Sequence, residues 1–219
     1  MTTDLLQVTM FTLAVALTAT VLLLLPGTWL AWLFARREFP GKALLETMVS
    51  LPLVMPPVAT GLIILWMFGI RGPLGGLGLN IFFTWKAVVL AMAVMGLPLL
   101  VRTARPGFEQ VPRRYELMAA SLGASPRRVF WTITLPLAKR SLIAGGLLAF
   151  SRALGEFGAT VVVAGSIPGR TLTLPVAIYA ATETGQDARA TAMLAISVTM
   201  AFGAVWISNR LVYAAPEPH

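Results

Sequence analysis

Apolar residues fill long blocks of this chain, and most charged residues gather between the blocks. Five blocks, 8–35, 46–70, 84–101, 141–164 and 190–212, are long and apolar enough to cross a hydrocarbon core, which takes about 20 helical residues. The second block holds Pro52, Pro56 and Pro57, so its first half is expected to be kinked or broken. A sixth run, 172–181, is too short to span and is interrupted by Pro175. It is expected to form a re-entrant or interfacial helix. The first block is not built like a signal peptide, because Asp4 and no lysine or arginine precede an apolar run that is far too long. The pattern predicts an all-α membrane protein of five transmembrane helices in one domain, 1–219.

Composition sharpens that picture by exclusion. The chain is 57% hydrophobic and 12% charged, where a soluble chain carries about 25% charged residues. It has no cysteine, hence no thiolate metal site or thiol nucleophile. Its one histidine is His219, in a polar tail, which leaves no basis for a His-ligated metal or a Ser-His-Asp triad. No catalytic residue and no metal ligand is expected. The net charge of +8 would suit nucleic acid, but in so apolar a chain it reads as loop charge held on the cytoplasmic side. Twelve lysines and arginines follow the first and fifth blocks or lie between the third and fourth, against four on the opposite side. The positive-inside rule then places the N-terminus outside and the C-terminus in the cytoplasm.

The segment 102–140 is too long for a plain connector. Pro112 precedes a run of helix formers, 113–124, in which Gly123 can end the helix in a left-handed conformation. A second short helix is expected over 126–134, ending before Leu135-Pro136. By composition alone, this could be an amphipathic element held on anionic lipid.

The spacing within it carries a resemblance. Gly123, nine residues, then Ile133-Thr134-Leu135-Pro136 resembles the EAA loop of ABC-importer permeases: E-A-A, three residues, glycine, nine residues, I-x-L-P. Leu117 stands where that pattern has its glutamate, and Glu116 lies one residue earlier. Either Glu116 serves from a shifted position, or the loop lacks the usual acidic contact. Phe39-Pro40-Gly41-Lys42, Leu51-Pro52-Leu53-Val54-Met55-Pro56-Pro57-Val58, the run from Ser151 to Thr160, and Ile167-Pro168-Gly169 leading to Leu174-Pro175 extend the resemblance over about 8–210. They are similar to the molybdate permeases of that family, with the sulfate permeases as close relatives; Gly158-Ala159-Thr160 resembles the molybdate type more.

The resemblance implies a type I (MetI-like) permease fold whose cytoplasmic coupling helix sits in a groove of an ATPase. It marks Glu116, Ala119, Ala120, Gly123, Ala124, Ile133, Leu135 and Pro136 as coupling residues. It implies import of a tetrahedral oxyanion, molybdate or tungstate, with sulfate or thiosulfate as the alternative. It also implies a bacterial inner-membrane homodimer with two cytoplasmic ATPase subunits and an extracytoplasmic oxyanion-binding protein. Besides these, the chain is expected to contact membrane lipid and no nucleic acid. No Walker-type Gly-x-x-x-x-Gly-Lys-Ser/Thr sequence occurs, so ATP and Mg belong to the partner ATPase and this chain is expected to bind no cofactor.

Within the fourth span, Arg152 and Glu156 stand four apart and are expected to share a helix face. One reading is a mutually neutralising pair; the other is a guanidinium that helps an oxyanion pass. Pro56 and Pro57 are read either as a kink or as part of a gate. Gly145, Gly146, Ala149, Ala153, Gly155 and Gly158 read as close helix packing, and Met48, Met55, Met67, Met92 and Met95 as lipid-facing or core groups. A membrane-embedded enzyme would need a cluster of polar catalytic groups, and a secondary transporter would usually show two related halves. Neither pattern is present in the sequence. A channel or purely structural subunit would leave the glycine-to-Leu-Pro spacing unexplained.

Overall fold

The computed structural model describes residues 2–69, 72–75 and 81–213; Arg71 and His219 lie outside them. The helices, in order, are α1 (Thr2–Arg36), α2 (Lys42–Val54), α3 (Pro57–Phe68), α4 (Trp85–Glu109), α5 (Arg113–Ser121), α6 (Pro126–Val129), α7 (Leu135–Leu154), α8 (Gly158–Ala164), α9 (Leu174–Glu183) and α10 (Asp187–Tyr213), with a π-helical turn, Phe130–Thr134, joining α6 to α7. All regular structure among the described residues is helical.

α4 forms the centre. Its Val88, Ala91, Met92 and Met95 are buried against Val15, Ala16 and Ala19 of α1 and Ala153 and Leu154 of α7. Small residues permit that approach: a Cβ placed on Gly145 would stand 3.0 Å from the Leu100 carbonyl oxygen. A second cluster, with Ala31, Phe34, Val101, Ala104, Phe108, Val111 and Ala138, closes the end nearest α5 and α6. On the same side Arg105 joins α2 to α4, its Nη1 2.9 Å from Glu46 and its Nε 2.6 Å from Glu109. α10 is the opposite case: 11% of its apolar window is buried within the chain, against 61% of that of α4. α1 and α10 both carry large exposed apolar side chains, among them Leu25 and Trp29 on α1 and Phe202 and Trp206 on α10.

Four described helices are long and apolar enough to span: Leu5–Arg36, Trp85–Glu109, Pro126–Leu154 and Asp187–Arg210. The expected second span is not one helix but α2 followed by α3. Met55 and Pro56 are both extended, with ψ of 146° and 132°. A residue before proline is pushed out of the helical region, and Met55-Pro56-Pro57 imposes that restriction twice in succession.

Three more expectations are corrected. The third span does not stop at 101; α4 runs to Glu109. Arg102 and Arg105 sit on its last turns, because a long basic side chain can leave the apolar layer without ending the helix. The short helix at 126–134 does not end before Leu135-Pro136 either. It runs into α7, giving one helical rod from Pro126 to Leu154. The Leu135 N–H bonds the carbonyl of Phe130, five residues back, and this wider turn relieves the clash that Pro136 would otherwise make with the carbonyl four residues before it. Finally, the fourth span does not reach 164. α7 ends at Leu154 and α8 starts anew at Gly158. The 172–181 segment is a helix whose Pro175 lies in its first turn rather than interrupting it.

Candidate coupling surface and helix-break junction

Pro112, extended at ψ 122°, launches α5. The helix stops at Leu122, and Gly123 follows with φ +82°. A Cβ at Gly123 would touch nothing within 4 Å, so the position is decided by backbone conformation and not by space. Ser125 then caps the next helix by accepting from the Arg128 N–H at 3.4 Å. The result is a helix, a tight left-handed turn and a second helix.

α5 buries no residue within the chain. Leu117 (66% exposed), Met118 and Leu122 (88% exposed) project outward, with Trp131 of the π turn also exposed. Of the residues singled out from sequence, Ala120, Gly123 and Pro136 are exposed, while Ala119, Ala124, Ile133 and Leu135 are half-buried. Leu135 packs into the cluster beneath the segment. Glu116 is turned the other way, onto its own chain. Its Oε1 accepts from Thr134 Oγ1 at 2.7 Å and from Arg36 Nη2 at 3.2 Å. Arg36, Thr134 and the exposed Leu117-Met118 pair escaped the sequence reading. The available signal was that one step along a helix rotates a side chain by about 100°, so Leu117 and Glu116 must face different ways.

The second constellation lies where two broken helices meet. A Cβ on Gly158 would stand 2.8 Å from Pro57 Cβ and 3.1 Å from the Val58 nitrogen; one on Gly61 would stand 2.9 Å from Ala159 Cα. The start of α3 therefore packs directly on the start of α8. Pro56 and Pro57 are themselves exposed. Arg152 is on the last turn of α7 and Glu156 lies beyond the helix, so they do not share one continuous helix face. They still pair: Arg152 Nη1 is 2.7 Å from Glu156 Oε2. The contact is one of charge, since Oε2 has no hydrogen bond of good geometry. Glu156 Oε1 accepts from the Ala159 N–H at 2.8 Å, at the opening of α8. The carboxylate is fully buried, whereas the arginine side chain keeps 26% of its surface exposed. The hydroxyls of Thr60 on α3 and Thr160 on α8 are also buried without hydrogen-bond partners among the described residues. Gly145 and Gly158 serve close packing as expected, while Gly155 instead terminates α7. Met92 and Met95 are core residues and Met48 is exposed. No group of three or more His, Cys, Asp or Glu able to hold a metal occurs among the described residues.

Comparison with known proteins places this geometry. Residues 27–214 match the family model described as binding-protein-dependent transport system inner membrane component. The chain is 44% identical over 204 residues to the molybdenum transport system permease protein ModB of Escherichia coli (strain K12), covering 90% of this chain and 89% of that one. It is 36% identical over 206 residues to a probable sulfate transport system permease protein, cysT, of Chlorokybus atmophyticus, covering 90% of this chain and 72% of the other. Among solved structures, an inward-facing form of the MetNI methionine ABC transporter superposes with a TM-score of 0.64 at 16% identity, covering 96% of this chain and 95% of that one. The last likeness establishes the MetI-like fold.

Proposed function

The chain belongs to the inner membrane components of binding-protein-dependent transport systems, and from that membership we propose that it is the permease subunit of an ATP-driven importer for molybdate or tungstate. The observation that carries the substrate class is the 44% identity with a molybdenum permease along nine-tenths of both chains. The likeness to a sulfate permease is weaker in identity and covers less of its relative, so sulfate is the second reading.

In this reading the chain performs no hydrolysis. Leu117, Met118 and Leu122, set around the Gly123 turn, enter a groove on a cytoplasmic ATPase that holds ATP and Mg. Supporting this are their exposure on a helix with no buried residue and the match of Gly123 and Ile133–Pro136 to the coupling pattern. The complete machine is a homodimer in a bacterial inner membrane with two ATPases and an extracytoplasmic oxyanion-binding protein. The N-terminus is outside and the C-terminus cytoplasmic, and the fifth crossing is made by the α2–α3 pair. Arg152, partly exposed beside the helix breaks, offers fixed donors to a passing anion while Glu156 keeps it from binding too tightly to release. Broken backbone at membrane depth is tolerated where it lines a cavity, which fits the place of Pro56 and Pro57.

The test is ATP-dependent uptake of molybdate, tungstate and sulfate by the complex reconstituted with its binding protein. Molybdate and tungstate uptake is expected. Uptake of sulfate alone would sink the substrate assignment and keep the permease.

A further inference from the structure

We infer that Glu116 is a positioning residue for energy coupling, an internal latch that fixes the ATPase-facing helix to the first span, and not a contact made to the ATPase. The inference rests on reading 113–136 as the ATPase-facing element, and goes beyond it by assigning the route along which force leaves that element.

α5 has no buried residue and its one half-buried apolar side chain is the small Ala119, so hydrophobic burial does little to hold it in register. Among the described residues, the only side-chain hydrogen bonds from α5 to another element end on Glu116; those of Arg114 and Ser121 stay within the helix. One carboxylate oxygen receives Arg36 from the last turn of α1 and Thr134 from the end of the π turn. The anchors are themselves fixed. Arg36 Nη2 also donates to the Val111 carbonyl at 2.7 Å, and its side chain is 10% exposed. Thr134 and Val111 are buried. Beside them, Trp32 of α1 meets Phe130 of the π turn edge-on, with ring centroids 5.8 Å apart. Three elements thus converge on Glu116: the ATPase-facing helix, the first span, and the π turn within the rod that runs on to Leu154.

The Glu116 carboxylate could reach a partner only by leaving these bonds. The residue that stands free to do so is Leu117, which is apolar. A charge-assisted carboxylate shared between a guanidinium and a hydroxyl also resists sliding, since both partners must be released together. Displacement of α5 by the ATPase therefore moves α1 and the π turn with it.

The full complex, reconstituted with ATPase and binding protein, tests this through the ratio of molybdate taken up to ATP hydrolysed. Glu116→Ala is expected to retain ATPase association and hydrolysis while the ratio falls roughly fivefold, the low end for coupling between sites. Glu116→Gln, whose amide oxygen can still accept from both Arg36 and Thr134, is expected to recover much of the ratio. Loss of ATPase association in E116A would overturn the latch in favour of direct docking, and an unchanged ratio would overturn it outright. Should E116A fail to accumulate, Glu116→Gln decides: recovery of both accumulation and ratio supports the latch, and no recovery overturns it. A wild-type chain that never assembles with an ATPase would overturn both this inference and the reading beneath it.

Discussion

The coupling surface and the helix-break junction are built on opposite principles. Around Gly123 the side chains point away from the chain and a Cβ would meet open space. Around Gly158 backbone lies against backbone, and a Cβ would collide with Pro57 and Val58. The first region is shaped to receive something; the second is shaped to keep two helix ends in place. Leu117, Met118 and Leu122 in the first are largely exposed, whereas the smallest added group in the second must displace main chain.

The largest expected effect follows from that contrast. Gly158→Leu overpacks a site with no flexible neighbour and should cost at least about 3 kcal/mol, the upper end for such insertions. The chain should fail to accumulate in the membrane; normal accumulation would erase the distinction between the two regions. Next comes Glu156→Ala, which removes the acceptor for the Ala159 N–H and leaves Arg152 unpaired. Because that arginine is partly exposed, the cost should fall below the roughly 3–5 kcal/mol of a fully buried pair. Thermal unfolding in detergent would measure it, and no change in midpoint would count against a structural role for Glu156.

Gly123→Val probes the other region. A β-branched residue at φ +82° strains the turn by about 1–2 kcal/mol, so the chain should accumulate while ATPase co-purification drops sharply. Intact co-purification would refute the coupling surface. Leu122→Asp should leave the isolated chain's stability within about 0.5 kcal/mol, as for other surface changes, and still weaken ATPase association. The smallest effect is expected from Glu38→Gln. Glu38 is 89% exposed in its pair with Lys42, and both unfolding midpoint and uptake should match wild type.

What the sequence disclosed follows the same division. The Gly123 turn and the break at Met55–Pro57 were legible because glycine and proline act on the backbone locally, whatever packs around them. The break at Gly155–Phe157 was not. It has no proline, and the apolar run continues into α8; the helix ends there because Glu156 finds the Ala159 N–H and Gly158 finds Pro57, both consequences of tertiary placement. Leu135-Pro136 misled in the other direction. A proline pair that normally marks a helix boundary is absorbed by a single wide turn. Arg102 and Arg105 were read as loop because charge marks the edge of the lipid, and the helix simply continues past that edge. The inward turn of Glu116 could be foreseen from helical rotation but not its partners, since Arg36 is 80 residues away.

The rod from Pro126 to Leu154 gives the molecule a lever. Its 29 residues measure about 43 Å at 1.5 Å per residue, with the Gly123 turn at one tip and Arg152 on the final turn at the other. Pivoting such a beam by about 5° sweeps its far tip through roughly 4 Å, more than the width of a water molecule, by simple trigonometry on that helical length. In the proposed importer such a pivot would carry motion from the ATPase-facing turn to the Arg152 end as one piece, and it would repack Ala153 and Leu154 against α4 on the way.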